Sequence, residues 1–190
     1  MAKTGERKAQ ILQTLAAMLE NPKGERITTA LLAARLEVSE AALYRHFVSK
    51  AQMFEGLIEF IEQTVFTLVN KIQTEETDAM KQIESTIATL LGFAQKNPGM
   101  TRVLIGDALV NEDERLQTRV NQLLDRLEAS LRQSARLAVS AGTLPADWDV
   151  NAYANAVIAF VIGRWHQYAK SGFKRTPMDG WAQQWRVLAA

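Results

Sequence analysis

The chain has 190 residues, of which 47% are hydrophobic, and a formal net charge of +1. That apolar share can bury a sizeable core, as one large domain or two small ones, and excludes global disorder. The lack of cysteine excludes disulfides and thiolate metal sites and suits a reducing cytosol.

No signal-peptide pattern opens the chain, and no stretch approaches the roughly 20 apolar residues of a membrane span. Charge is unevenly spread. Residues 1–50 hold eight Lys/Arg against five acids, so +3; residues 51–190 hold 14 against 16, so −2. A basic end on a mildly acidic body suits a module that faces phosphates.

In chain order, Met1 to Arg7 is expected to fray, leaving Lys3, Arg7 and Lys8 to reach phosphate. Ile11, Leu12, Leu15, Met18 and Leu19 recur at helical spacing and predict a first amphipathic helix, stopped by Asn21-Pro22-Lys23-Gly24. Two short helical patterns follow, abutting across a tight turn. Thr28 or Thr29 can cap the first, whose apolar side carries Leu31, Leu32 and Leu36. The break falls at Leu36-Glu37-Val38, and Ser39 caps the second. Its exposed side would carry Glu40, Ala42, Leu43, Tyr44 and His46, although Leu43 and Phe47 are also expected to pack inward on Leu15 and Leu19. Such a helix–turn–helix lays its second helix in the DNA major groove. Glu37 stands where turns of this kind usually carry glycine; a left-handed backbone there costs on the order of 1 kcal/mol.

Ser49-Lys50-Ala51-Gln52 reads as a capping box opening the next helix. Its apolar stripe, Phe54, Leu57, Ile58, Ile61, Val65, Leu68, Val69 and Ile72, is unbroken. Another helix carries Met80, Ile83, Ile87, Leu90, Leu91 and Phe93 to a stop at Asn97-Pro98-Gly99. A short helix spans roughly 100–108, and a long one runs from a cap at 111–114 to about Val139. Ser140 to Pro145 is a loop. Residues 150–170 read apolar on nearly every side, which calls for cover all round. A last helix with Trp181 and Trp185 supplies part of it; a second subunit resting on Tyr153, Val157, Phe160, Val161 and Trp165 would supply the rest.

The expected fold is therefore all-α: a three-helix DNA-binding domain (1–48) and a helical dimerisation and partner or effector domain (49–190). Phosphate contacts are assigned to Thr28, Thr29, Tyr44, His46 and Lys50, and base readout to the stretch Ser39, Glu40, Ala42 and Leu43. Enzymatic chemistry has no support. The sequence lacks a Gly-rich phosphate loop, a His-Glu-x-x-His helix, a Cys nucleophile and any metal-ligand cluster, so neither cofactor nor metal is expected.

Ala33, Val38-Ser39, Leu43-Tyr44, His46-Phe47 and Ser49-Lys50 resemble the DNA-binding signature of the TetR family of bacterial regulators. Arg26 to Ala30, Val38 to Phe47, Met53-Phe54, Leu57 to Glu62, Asn97-Pro98-Gly99 and Arg119 to Leu123 are similar to its nucleoid occlusion members, densely so to about residue 135. The resemblance implies a cytoplasmic, nucleoid-associated homodimer on a palindromic site that antagonises assembly of the division ring. It also implies binding of the tubulin-like division protein FtsZ along the fourth and fifth helices, where Phe60, Gly92, Lys96 and Asn97 fall on matching positions. The sequence departs from that pattern in four places. Leu68 and Lys96 stand where arginine is expected, and Asp107 and Asn111 where histidine and phenylalanine are. The alternatives are a ligand-responsive repressor with a hydrophobic effector pocket in its body, and an interaction scaffold whose head no longer binds DNA.

Overall fold

The computed structural model describes residues 4–21 and 27–189. Lys3, the Pro22-Lys23-Gly24 stop and Arg26 lie outside the described residues. Helices follow one another as α1 (Thr4–Leu19), α2 (Thr29–Arg35), α3 (Glu40–Tyr44), α4 (Lys50–Glu75), α5 (Ala79–Lys96) and α6 (Pro98–Leu104). A 3-10 turn (Asp107–Leu109) leads to α7 (Glu114–Ser140), α8 (Val150–Lys170) and α9 (Trp181–Leu188). The first helix thus takes in Thr4 to Arg7, part of the stretch expected to fray. Among the described residues there is no strand, and no helix is long and apolar enough to cross a membrane.

Packing divides the chain differently from the boundary expected at residue 48. One compact unit comprises Met1–Ile61 with Asn97–Val120, the other Glu62–Lys96 with Asn121–Ala190. The first unit gathers α6 onto α1 because Gly99 removes the steric obstacle. A Cβ on Gly99 would stand 2.0 Å from the carbonyl oxygen of Ala16, far inside any real contact. From α6, Arg102 then caps the end of α1. Its Nη1 donates to the carbonyls of Leu19 at 3.2 Å and Asn21 at 3.1 Å, acceptors that the end of a helix leaves unmatched. Its Nε donates to Asp107 at 2.8 Å, so the aspartate found in place of the expected histidine has a partner of its own. A second close approach lies at Gly56 of α4, where a Cβ would meet Leu12 at 3.3 Å and the Phe47 ring at 3.4 Å. Ile11, Leu15, Leu43, Phe47, Phe54 and Leu57 are buried in this unit, which places Leu43 and Phe47 inward together with Leu15 and Leu19 as the pattern predicts.

In the second unit α5, α7 and α8 bury Ile83, Ile87, Leu90, Leu91, Leu123, Leu127, Leu131, Val157, Val161 and Trp165. Several polar groups drawn into this core are matched. The Trp165 indole donates to the carbonyl of Leu90 at 3.2 Å and the Tyr168 hydroxyl to that of Gln95 at 3.1 Å. Gln82 donates to the carbonyl of Glu76 at 2.7 Å and accepts from Ser134 at 2.9 Å. Contrary to the all-round apolar expectation, α8 is two-faced: Asn151, Ala152, Asn155, Ala156, Ala159, His166 and Gln167 are exposed. Alanines on the outer face made the hydropathy pattern look continuous. The segment after α8 is fastened by Arg164, whose guanidinium donates to the carbonyls of Thr176 at 3.0 Å and Asp179 at 2.9 Å. Trp181 of α9 lies 6.3 Å from the Phe160 ring and 5.8 Å from Trp185. All four tryptophans of the sequence fall in this unit.

Gly99→Ala is expected to lower stability by about 1–3 kcal/mol, because a methyl must displace backbone rather than a flexible side chain. Chemical denaturation of the two proteins checks it, and an unchanged midpoint would contradict the α1–α6 contact.

Candidate nucleic-acid interface

Local hydrogen bonds explain why residues 28–47 form a helix–turn–helix. Thr28, extended at φ −107 and ψ 157, caps α2 by accepting from the amide of Leu31 at 3.1 Å. Ser39 caps α3 in the same way, accepting from Ala42 at 3.3 Å. Between them α2 ends in a Schellman turn: the Val38 amide returns to the carbonyl of Ala33 at 3.0 Å and that of Glu37 to Ala34 at 3.1 Å. Glu37 occupies the left-handed position at φ 56, the strained backbone anticipated for a non-glycine residue there. The two turn bonds and the burial of Leu36 on one side offset the strain.

Side chains also tie the two helices. Thr29 donates to the carboxylate of Glu40 at 2.6 Å, and the Tyr44 hydroxyl lies 3.5 Å from the Thr29 oxygen. Thr28, Ser39, Glu40 and Tyr44 are exposed; Thr29, Ala42, His46 and Lys50 are half-buried. Leu43 is corrected. Only 1% of it is exposed, so it holds α3 to the core and cannot touch a base. With Leu43 and Phe47 inside, the outward side of α3 is Glu40, Ala41, Tyr44 and Arg45, all exposed. Ala41 and Arg45 were missed as candidates. The four-residue spacing of Leu43 and Phe47 carries the signal, since it fixes the opposite face of the helix.

His46 has Nδ1 buried with no hydrogen-bond partner among the described residues, which leaves its other ring nitrogen as the one available to a phosphate. Lys50, first residue of α4, is ion-paired with Glu112, and its Nζ lies 5.6 Å from the centre of the Phe54 ring. The expected capping box is present in altered form. Ser49 accepts from the Gln52 amide at 3.1 Å, while Gln52 accepts from the amide of Val48 at 2.6 Å rather than from that of the cap.

The remaining candidates fall in both units and are taken singly. Phe60 is 48% exposed on α4. Asn97 is half-buried just before α6. In the second unit Lys96 is exposed, and Gly92 is half-buried with nothing beyond its chain neighbours and its own helix backbone within 4 Å of where its Cβ would be. The dimer candidates divide. Val157, Val161 and Trp165 are corrected: at 1%, 0% and 1% exposure they belong to the core of their own chain, out of reach of a second one. Tyr153 and Phe160 are half-buried. Burial raises the Tyr153 phenol to about 12, and its hydroxyl has no partner among the described residues. Beside Phe160 the outer side of α8 borders an open groove of about 430 Å³ lined by Leu124, Asp125, Glu128, Asn155, Ala159 and Ile162, among others.

Among described residues no cluster of potential ligands could hold a metal ion. Comparison with known proteins supplies the lineage. The family description "Bacterial regulatory proteins, tetR family" matches residues 23–57, and "Tetracyclin repressor-like, C-terminal domain" matches residues 77–190. The chain is 52% identical to the nucleoid occlusion factor SlmA of Marinomonas sp. (strain MWYL1) over 98% of its length and 95% of the relative's. The chain belongs to the SlmA factors of the TetR family. It is therefore a non-enzymatic, DNA-binding regulator of the nucleoid occlusion type. A second SlmA, from Alteromonas mediterranea, is 51% identical over the same 98% of the chain and 95% of its own length. Solved structures agree on the fold. The TetR family regulator PfmR from Thermus thermophilus superposes with a TM-score of 0.79 at 20% identity, covering 94% of this chain and 96% of its own. The fatty acid degradation regulator FadR from Bacillus halodurans gives 0.81 at 14% identity, covering 99% and 97%.

Proposed function

We propose that the chain acts as a two-fold dimer that reads a palindromic duplex with α3, associates with the nucleoid, and there binds FtsZ. The outward face of α3 carries the DNA half of this reading. Glu40, Ala41, Tyr44 and Arg45 form the side that enters the major groove, and Thr28, Thr29, His46 and Lys50 take backbone phosphates on either flank. Arg45 adds a cation where phosphate recognition favours one. Half-sites would lie about 34–36 Å apart, or more if the wider spacing of TetR proteins applies. Lys50→Ala is expected to weaken all duplexes alike and to reduce the slope of log affinity against log salt by about one. Electrophoretic or anisotropy titrations over a salt series measure it, and an unchanged slope removes Lys50 from the phosphate contacts.

Dimerisation is assigned to the outer side of α8. Ala152, Asn155, Ala156, Ala159 and Gly163 keep that side narrow, which suits close approach of a second helix. A Cβ on Gly163 would meet nothing in its own chain, so nothing in the fold asks for glycine there. Ala159→Arg is expected to turn the dimer into a monomer with unchanged helix content. Sedimentation checks this; a dimer that persists at low micromolar concentration moves the interface elsewhere.

The FtsZ half rests on the SlmA lineage, on the exposure of Phe60 and on a glycine at position 92 that packing does not call for. Phe60 exposes half of an aromatic ring. Gly92 sits inside a helix, where glycine costs about 1 kcal/mol relative to alanine, with no packing reason within the chain. Gly92→Ala is expected to raise stability by roughly 0.5–1 kcal/mol yet weaken FtsZ capture, while Phe60→Ala weakens capture and spares DNA binding. Denaturation together with pull-down of purified FtsZ tests both. Undiminished capture by the two variants would sink the docking assignment, and occupancy of many chromosomal sites rather than one or two promoters would test the occlusion role itself.

A further inference from the structure

Lys50 does not present an open ammonium to solvent. Its charge is paired with Glu112, which lies between the Asp107–Leu109 turn and α7 in the same compact unit. Both side chains are largely covered, 22% exposed for Lys50 and 13% for Glu112. The carboxylate is held in place by its own segment. Asn111 is left-handed at φ 66, and the Glu112 amide donates to the carbonyl of Leu109 at 3.0 Å. The neighbouring Asp113 is engaged elsewhere: it accepts from Arg115 at 2.7 and 3.0 Å, and those bonds hold its carboxyl down at about 2. One acid of this segment is therefore turned to the head's lysine while the next is locked to its own helix.

We propose that Glu112 is an internal competitor of DNA phosphate for Lys50, and so sets how tightly the head holds duplex of any sequence. The inference rests on Lys50 being a phosphate contact. A carboxylate and a phosphate oxygen ask the same thing of an ammonium: an anionic acceptor at hydrogen-bond distance. Binding DNA through Lys50 must then exchange one anion for another. The exchange leaves Glu112 unpaired in a partly covered place. That cost subtracts from the sequence-independent part of affinity and leaves base readout by α3 untouched, so duplexes of every sequence are held less tightly by the same factor.

Glu112→Gln keeps the shape and removes the charge. It is expected to bind a short random-sequence duplex roughly three- to tenfold tighter at low salt, with the log–log salt slope little changed, because Lys50 meets one phosphate in both proteins. The gain should vanish in the Lys50→Ala background. Glu112→Asp keeps the charge but withdraws it by one methylene and should give a smaller gain, which serves if the glutamine variant folds poorly. Folded variants that bind no tighter than the parent would overturn the proposal. A gain that survives in Lys50→Ala would overturn it too, since Glu112 would then act by general repulsion with the role of Lys50 intact. Loss of the Lys50 role itself would show separately, as Lys50→Ala matching the parent slope.

Discussion

The DNA-facing unit depends on a contact between residues some eighty positions apart in the chain. Gly99 lets the backbone of α6 lie against the carbonyl of Ala16, and Arg102 closes the same junction by taking the carbonyls that α1 leaves over. Three short helices make a small core, and small cores are marginal on their own. Adding α6, the start of α7 and the first half of α4 enlarges the buried surface around the helix–turn–helix. It also gives the last carbonyls of α1 a partner whose charge matches the negative end of that helix. The asymmetry in net charge along the sequence then has a structural counterpart only in part, because residues from Asn97 to Val120 join the basic N-terminal segment in one unit.

Within that unit the electrostatics are more guarded than a count of cations suggests. Lys50 is paired with Glu112, Arg102 with Asp107 and Arg115 with Asp113. The acids at 107 and 112 come from the segment after α6. Arg45, by contrast, stands exposed at the end of α3. Under the proposed reading Arg45 meets a phosphate directly, while Lys50 must change partner.

Much of this was legible in the residues. Caps, stripes and stops marked α1 to α5 and α7 because each signal is local: Ser39, Ser49 and Asn97-Pro98-Gly99 act on the backbone beside them. Even the awkward turn was visible, since Glu37 sits where a left-handed residue closes α2. What the pattern obscured was the phase of a helix. Five residues of α3 allow two readings of which side faces out, and only the pairing of Leu43 with Phe47 decides for Arg45 and Ala41. In α8 alanines on the outer side masqueraded as core, so Val157, Val161 and Trp165 looked available to a partner when they fill the interior. The division into units was not legible at all, because it follows from a missing methyl at Gly99 whose neighbour on α1 is remote in sequence.

The placement of the indole rings has a practical corollary. Trp148, Trp165, Trp181 and Trp185 all belong to the unit built on α5, α7 and α8, and the helix–turn–helix unit has none. Intrinsic emission excited at the red edge therefore follows only the body of the molecule, with Trp165 sealed in its interior and Trp181 and Trp185 stacked near its end. The head is dark in that channel, and the phenol of Tyr44 on α3 is its sole native chromophore of comparable use.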